Sequence, residues 1–94
     1  MKVRWTRLAV QDLHSAYDYV AAKNPAAAHS VIARIESALQ ALKAHPLIGR
    51  EGRVDGTREL VIPATPFIVA YRIAKARIEI LAVIHGARRW PEKF

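Results

Sequence analysis

The sequence contains no cysteine. Disulfides, thiolate nucleophiles and thiolate metal ligands are therefore excluded, and the reducing cytoplasm is the expected setting. No apolar run approaches the roughly 20 residues that cross a bilayer. The opening MKVRWTRLAV lacks the apolar segment of a secretion signal, so no membrane role is expected. Glycine is sparse, with 4 residues, and none forms a phosphate-cradling loop ahead of a helix. His14, His29, His45 and His85 stand at no metal-ligand spacing, so neither metal nor cofactor is expected. Ser15, Ser30 and Ser37 fall within helical stretches, where a nucleophile elbow cannot form. No two carboxylates are spaced to share a proton.

What is present is positive charge. Lys and Arg number 15 against 8 Asp and Glu, giving a net charge of +7. Such a chain attracts acidic partners: nucleic acid, an acidic protein or an anionic surface. Its 94 residues fit a single domain, 1–94, and 52% hydrophobic content suffices for one core.

The hydrophobic pattern predicts a brief strand at Lys2 to Trp5. Thr6 can cap a helix whose face is Ala9, Leu13, Ala16, Tyr17 and Val20. Asn24-Pro25 ends it and starts a second helix, striped by Ala28, Val31, Ile32, Ile35, Ala38, Leu39 and Leu42. His45-Pro46 breaks that helix, and the glycine-punctuated segment HPLIGREGRVDG reads as a loop. Strands are predicted at Thr57 to Ile62, Phe67 to Ile73 and Arg77 to His85. The fold class expected is α+β. An N-terminal strand and a helical hairpin precede a three-stranded antiparallel meander (β-α-α-β-β-β), with the helices on one sheet face.

The last two strands are apolar on both faces. Simple alternation puts Phe67, Val69, Tyr71, Ile73, Ile78, Ile80, Ala82 and Ile84 apart from Ile68, Ala70, Leu81 and Val83. One face receives the helices. The other, with Ile68, Ala70, Leu81 and Val83, is expected to receive a second polypeptide ahead of the chain's own tail, Trp90 to Phe94. The remaining candidates are basic. Arg50, Arg53 and Arg58 lie in and after the loop, Arg72 lies in the middle of the meander, and VIHGARRWP ends the last strand with His85, Arg88, Arg89 and Trp90. A histidine beside arginines can cleave RNA, bind phosphate without reacting, or bind acidic side chains. Trp90 can stack on a base or pack on the core edge.

The order of elements, with Asn24-Pro25, PLIGR at Pro46 to Arg50, GRV at Gly52 to Val54 and GTREL at Gly56 to Leu60, is familiar. PFIVAYR at Pro66 to Arg72 and HGARRWP at His85 to Pro91 complete the set. Together they resemble the RelE/ParE superfamily of toxins from bacterial type II toxin–antitoxin systems, over essentially the whole chain. The resemblance implies a growth-inhibiting toxin neutralised by a cognate ParD-like antitoxin, with operator DNA bound only through the antitoxin. ParE-like members poison DNA gyrase, whereas RelE-like members cut mRNA on the ribosome. The nucleases resemble one another in carrying basic residues along the first two strands of the meander, at positions that read here Glu59, Val61 and Ile68. The resemblance therefore favours the ParE-like class. Arg88, Arg89, Trp90, Arg72, Arg58, Arg50 and Arg53 are the expected target-binding residues, and Ile68, Ala70, Leu81 and Val83 the antitoxin-binding ones. Were the chain a nuclease, His85, Arg88 and Arg89 would be its catalytic set.

Overall fold

A computed structural model describes all residues, 1–94. The chain runs β1 (Lys2–Trp5), α1 (Arg7–Ala21), α2 (Pro25–Ala44), β2 (Arg50–Glu51), β3 (Arg58–Val61), β4 (Phe67–Ala74) and β5 (Arg77–His85). The strands form one five-stranded sheet in the order β1-β5-β4-β3-β2. Strands β3, β4 and β5 make the expected antiparallel meander. The predicted loop also contains a strand, β2, which pairs with β3 through Arg50 to Glu59 and Glu51 to Arg58. β1 lies parallel to β5, so the sheet is mixed.

Both helix starts follow from local chemistry. The Thr6 hydroxyl accepts the Ala9 N–H and donates to the Ile80 carbonyl at 2.8 Å, so it caps α1 and fixes it to β5. The Asn24 side chain accepts the Ala27 N–H, with Pro25 in the first turn of α2. The core lies between the hairpin and one sheet face. Ala9 and Ala16 of α1 and Val31, Ile35, Leu39 and Leu42 of α2 meet Ile62, Phe67, Val69, Tyr71, Ile78, Ile80 and Val83. Each large aliphatic side chain buried there contributes about 1.5–3 kcal/mol of transfer free energy. Tyr71 is fully buried, and its hydroxyl donates to the Pro46 carbonyl and accepts the Gly49 N–H. Its ring lies so close to Gly49 that a Cβ there would overlap it, which is why the loop needs glycine at that position.

Two expectations are corrected. β4 and β5 slip register between Ala70 and Tyr71, where Ala70 pairs with Ala82 but Tyr71 pairs with Ile80. Leu81 is the extra residue of a β-bulge. Beyond it the alternation inverts, so Val83 joins Ile78 and Ile80 in the helix-facing core. Ala82 and Ile84 pair with Ala70 and Ile68, outside that core.

The second correction concerns the outer face. It is not open, because Ile68, Ala70, Leu81 and Ala82 are all buried within this chain. The C-terminal tail lies over this apolar part of it. Gly86 packs beside Ile68, and the Trp90 ring lies 3.9 Å beneath the Arg53 guanidinium. Arg53 in turn reaches Glu59 of β3, the register partner of Ala70. The expected apolar docking surface of Ile68, Ala70, Leu81 and Val83 is thus not exposed.

Candidate target-binding site

β1 pairs with β5 only through Ile80, because the chain leaves the sheet at Thr6 to begin α1. From Leu81 onward that edge of β5 has no strand beside it. Asp12 of α1 fills part of the gap, accepting the Val83 N–H at 3.0 Å. Burial pushes the Asp12 carboxyl above its ordinary value, and the bond from Val83 opposes that shift.

Between this edge, α1 and the tail lies a cleft of about 380 Å³. Leu8, Ala16, Phe67 and Phe94 supply much of its apolar lining, and Asp12, Ser15, His85, Arg88 and Arg89 its polar groups. His85 sits half-buried, with Phe67 and Tyr19 meeting its ring edge-on at centroid distances of 5.7 and 6.3 Å. Its Nδ1 accepts the Ala87 N–H at 3.2 Å, which fixes the turn leaving β5. The Arg88 guanidinium lies 5.4 Å from the Tyr19 ring centroid, and Arg89 is exposed on the same rim. This geometry presents two cations and an imidazole beside an apolar floor. No carboxylate forms a hydrogen bond or ion pair with His85, whose Nδ1 accepts the Ala87 N–H, and Asp12 accepts the Val83 N–H.

The other predicted target-binding residues lie elsewhere. Arg50 and Arg53 both pair with Glu59, whose side chain is only 2% exposed. The Glu59 carboxylate also accepts the Arg53 N–H at 2.8 Å. The chain Glu59–Arg53–Trp90 therefore ties the tail to the sheet. Trp90 is a clamp here, with its Nε1 buried and unbonded. Arg58 donates to the Leu47 and Gly49 carbonyls, so it braces the loop before β2. Arg72 lies toward the opposite end of the sheet, in a cluster with Arg4 and Arg77 around Glu79. Its hydrogen bond holds the Glu79 carboxyl below its ordinary value.

The structure thus brings together His85, Arg88 and Arg89, and separates them from Arg50, Arg53, Arg58 and Arg72. Sequence reasoning missed Asp12 and Tyr19 as lining residues. A tyrosine and an aspartate on α1 carry no signal until the tail is known to fold back toward them. No group of three or more His, Cys, Asp and Glu side chains is placed to hold a metal ion. No helix is long and apolar enough to cross a membrane.

The family model described as ParE toxin of type II toxin–antitoxin system, parDE, matches residues 3–90. The chain belongs to the ParE toxin family. It is 42% identical over 91 residues to the Y4kP protein of Sinorhizobium fredii, a match spanning 97% of this chain and 94% of that one. It is 32% identical over 87 residues to toxin RelE2 of Caulobacter vibrioides, covering 93% and 97% of the two chains. Among solved structures, the chromosomal ParDE system from P. aeruginosa superimposes with a TM-score of 0.79 at 32% identity, over 90% of this chain and 95% of that one. The RelBE2 toxin–antitoxin complex from Mycobacterium tuberculosis gives a TM-score of 0.59 at 28% identity, over 89% and 95%. This ParE-family chain is therefore a type II toxin component of the RelE/ParE superfamily, built as helices on an antiparallel meander.

Proposed function

We propose that this toxin inhibits growth by ParE-like poisoning of DNA gyrase in the cytoplasm, and that a ParD-like antitoxin neutralises it. The observation that carries the reading is the chemistry at Glu59, Val61 and Ile68. Glu59 is a buried carboxylate paired with two arginines, Val61 is an exposed aliphatic and Ile68 is a buried one. None can stabilise the negative charge that develops when a phosphodiester is cut. Arg88 and Arg89, both exposed on the rim of the cleft, are assigned to target binding. Antitoxin contact with Ile68, Ala70 or Leu81 requires the tail to lift from the outer face. The test is a gyrase supercoiling assay with purified toxin. Inhibition with accumulation of cleaved DNA is expected, and unimpaired supercoiling at excess toxin overturns the reading.

One observation favours a second reading. His85, Arg88 and Arg89 share one cleft, as a ribosome-dependent mRNA endonuclease would need, and a relative is named RelE2. Primer extension on mRNA from translating ribosomes decides this reading. Cuts positioned by codon support it, and their absence removes it.

A further inference from the structure

The positive charge is not spread evenly over the fold. Residues 7–44, the helical hairpin, carry four cations and three acids, so +6 of the net +7 belongs to the sheet, its loops and the tail. Much of it collects at the end of the sheet away from the cleft. In the register of the sheet, Lys2 of β1 lies beside Arg77 of β5, which pairs with Ala74 of β4. In a second row, Arg4 lies beside Glu79, which pairs with Arg72. Val3, Trp5, Ile78 and Ile80 between them point into the core, so these two rows face outward together. Lys75 in the β4–β5 turn adds a fifth cation. Glu79 alone opposes them, at 2.8 Å from Arg72, 3.4 Å from Arg77 and 3.8 Å from Arg4. The shared carboxylate holds the guanidinia side by side and leaves a net charge of +4 at that end of the sheet. Nε of Arg77 is buried and donates to no group of the chain.

We propose that this patch of Lys2, Arg4, Arg72, Lys75 and Arg77 binds the phosphate backbone of duplex DNA. The rows contain no apolar side chain larger than the Ala74 methyl. An acidic peptide docking on a flat sheet face needs an apolar anchor in a pocket, and none is offered here. Phosphates need only cations at matching spacing, and their binding gains from released counterions. No aromatic side chain stands in the rows to stack an unpaired base, which favours a duplex over a single strand. Contacts of this kind position a protein on DNA without reading sequence. The patch is remote from His85 and Arg88, and its DNA binding is independent of which target the toxin poisons.

The test uses the full chain and a fluorescein-labelled duplex of about 20 base pairs, read by anisotropy across a salt series. Lys2→Gln with Lys75→Gln removes two cations that take part in no ion pair, so folding is spared. Arg4→Ala with Arg77→Ala removes two guanidinia and leaves Arg72 on Glu79. Each pair is expected to weaken binding about tenfold at moderate salt and to lower the salt slope by about 2. The control, Lys23→Gln with Arg34→Gln on the hairpin, removes equal charge and should change affinity less than about twofold. Equal weakening by the control and patch variants overturns the proposal, because the attraction is then diffuse. So does tighter binding of poly-glutamate than of the duplex.

Discussion

The outer face of the sheet holds two glutamates, each circled by arginines, and they behave as opposites. The Glu59 side chain is 2% exposed, and its carboxylate takes a backbone N–H as well as Arg50 and Arg53. That cluster faces inward to the chain, since Arg53 lies over Trp90 and closes the tail on the sheet. The Glu79 side chain is 10% exposed and accepts hydrogen bonds only from the Arg72 and Arg77 side chains, with Arg4 an ion-pair partner at 3.8 Å, and all three arginines remain partly in water. One carboxylate uses its arginines to hold the fold shut. The other gathers them for display. The difference lies in what sits beside each: a tryptophan and a backbone donor in one case, solvent in the other.

The cleft around His85, Arg88 and Arg89 gives the largest expected effect. Arg88→Ala with Arg89→Ala should abolish growth inhibition on induced expression while antitoxin binding survives in a pull-down. Retained full toxicity would remove the cleft from the effector role. Next comes Glu59→Ala, which strands the Arg53 N–H and two guanidinia. It should destabilise the chain by about 1–3 kcal/mol in urea unfolding and red-shift tryptophan emission as the tail loosens. A loss below about 0.5 kcal/mol with an unchanged spectrum would mean the two glutamates do not differ in the way described.

Glu79→Gln should act more weakly and through pH. The folded carboxyl titrates below its ordinary value of 4.5, so its stabilisation is present above that value and fades as pH falls through the depressed one. The gap in urea midpoint between wild type and variant should therefore exist at neutral pH and close in acid. A gap independent of pH would show that Arg72 does not hold the charge.

Asp12→Asn should have the smallest effect. The Asp12 carboxyl is raised above 3.8, so the folded state binds its proton more tightly and loses stability as pH climbs through the raised value. Asparagine keeps an acceptor for the Val83 N–H without a charge to desolvate, so its midpoint at neutral pH should equal or slightly exceed wild type. A clear loss would show that the charge itself is needed at the β5 edge.

Much of the fold was legible because its signals are local. Thr6 and Asn24 cap where predicted, and the stripe Ala28, Val31, Ile35, Leu39 and Leu42 is buried as the helical period requires. The site was legible only in part. His85, Arg88 and Arg89 do converge, yet Arg50, Arg53, Arg58 and Trp90 are spent on bracing loops and tail. Nothing in their residue types separates a cation that binds a target from one that binds its own chain.

By itself, then, the sequence determined the class of fold, the two helices, the meander and the family, since periodicity, capping and turn chemistry act within a few residues. Tertiary structure alone decided the bulge at Leu81 that turns Val83 inward, because one inserted residue inverts a two-residue alternation. It alone folded Trp90 beneath Arg53 and buried Ile68, Ala70 and Leu81 on the outer face. It also joined Lys2 and Arg4 to Arg72 and Arg77, through the parallel pairing of the first strand with the last. Those contacts span most of the chain, and strand register across such a distance is set by the packed whole, beyond the reach of any local signal.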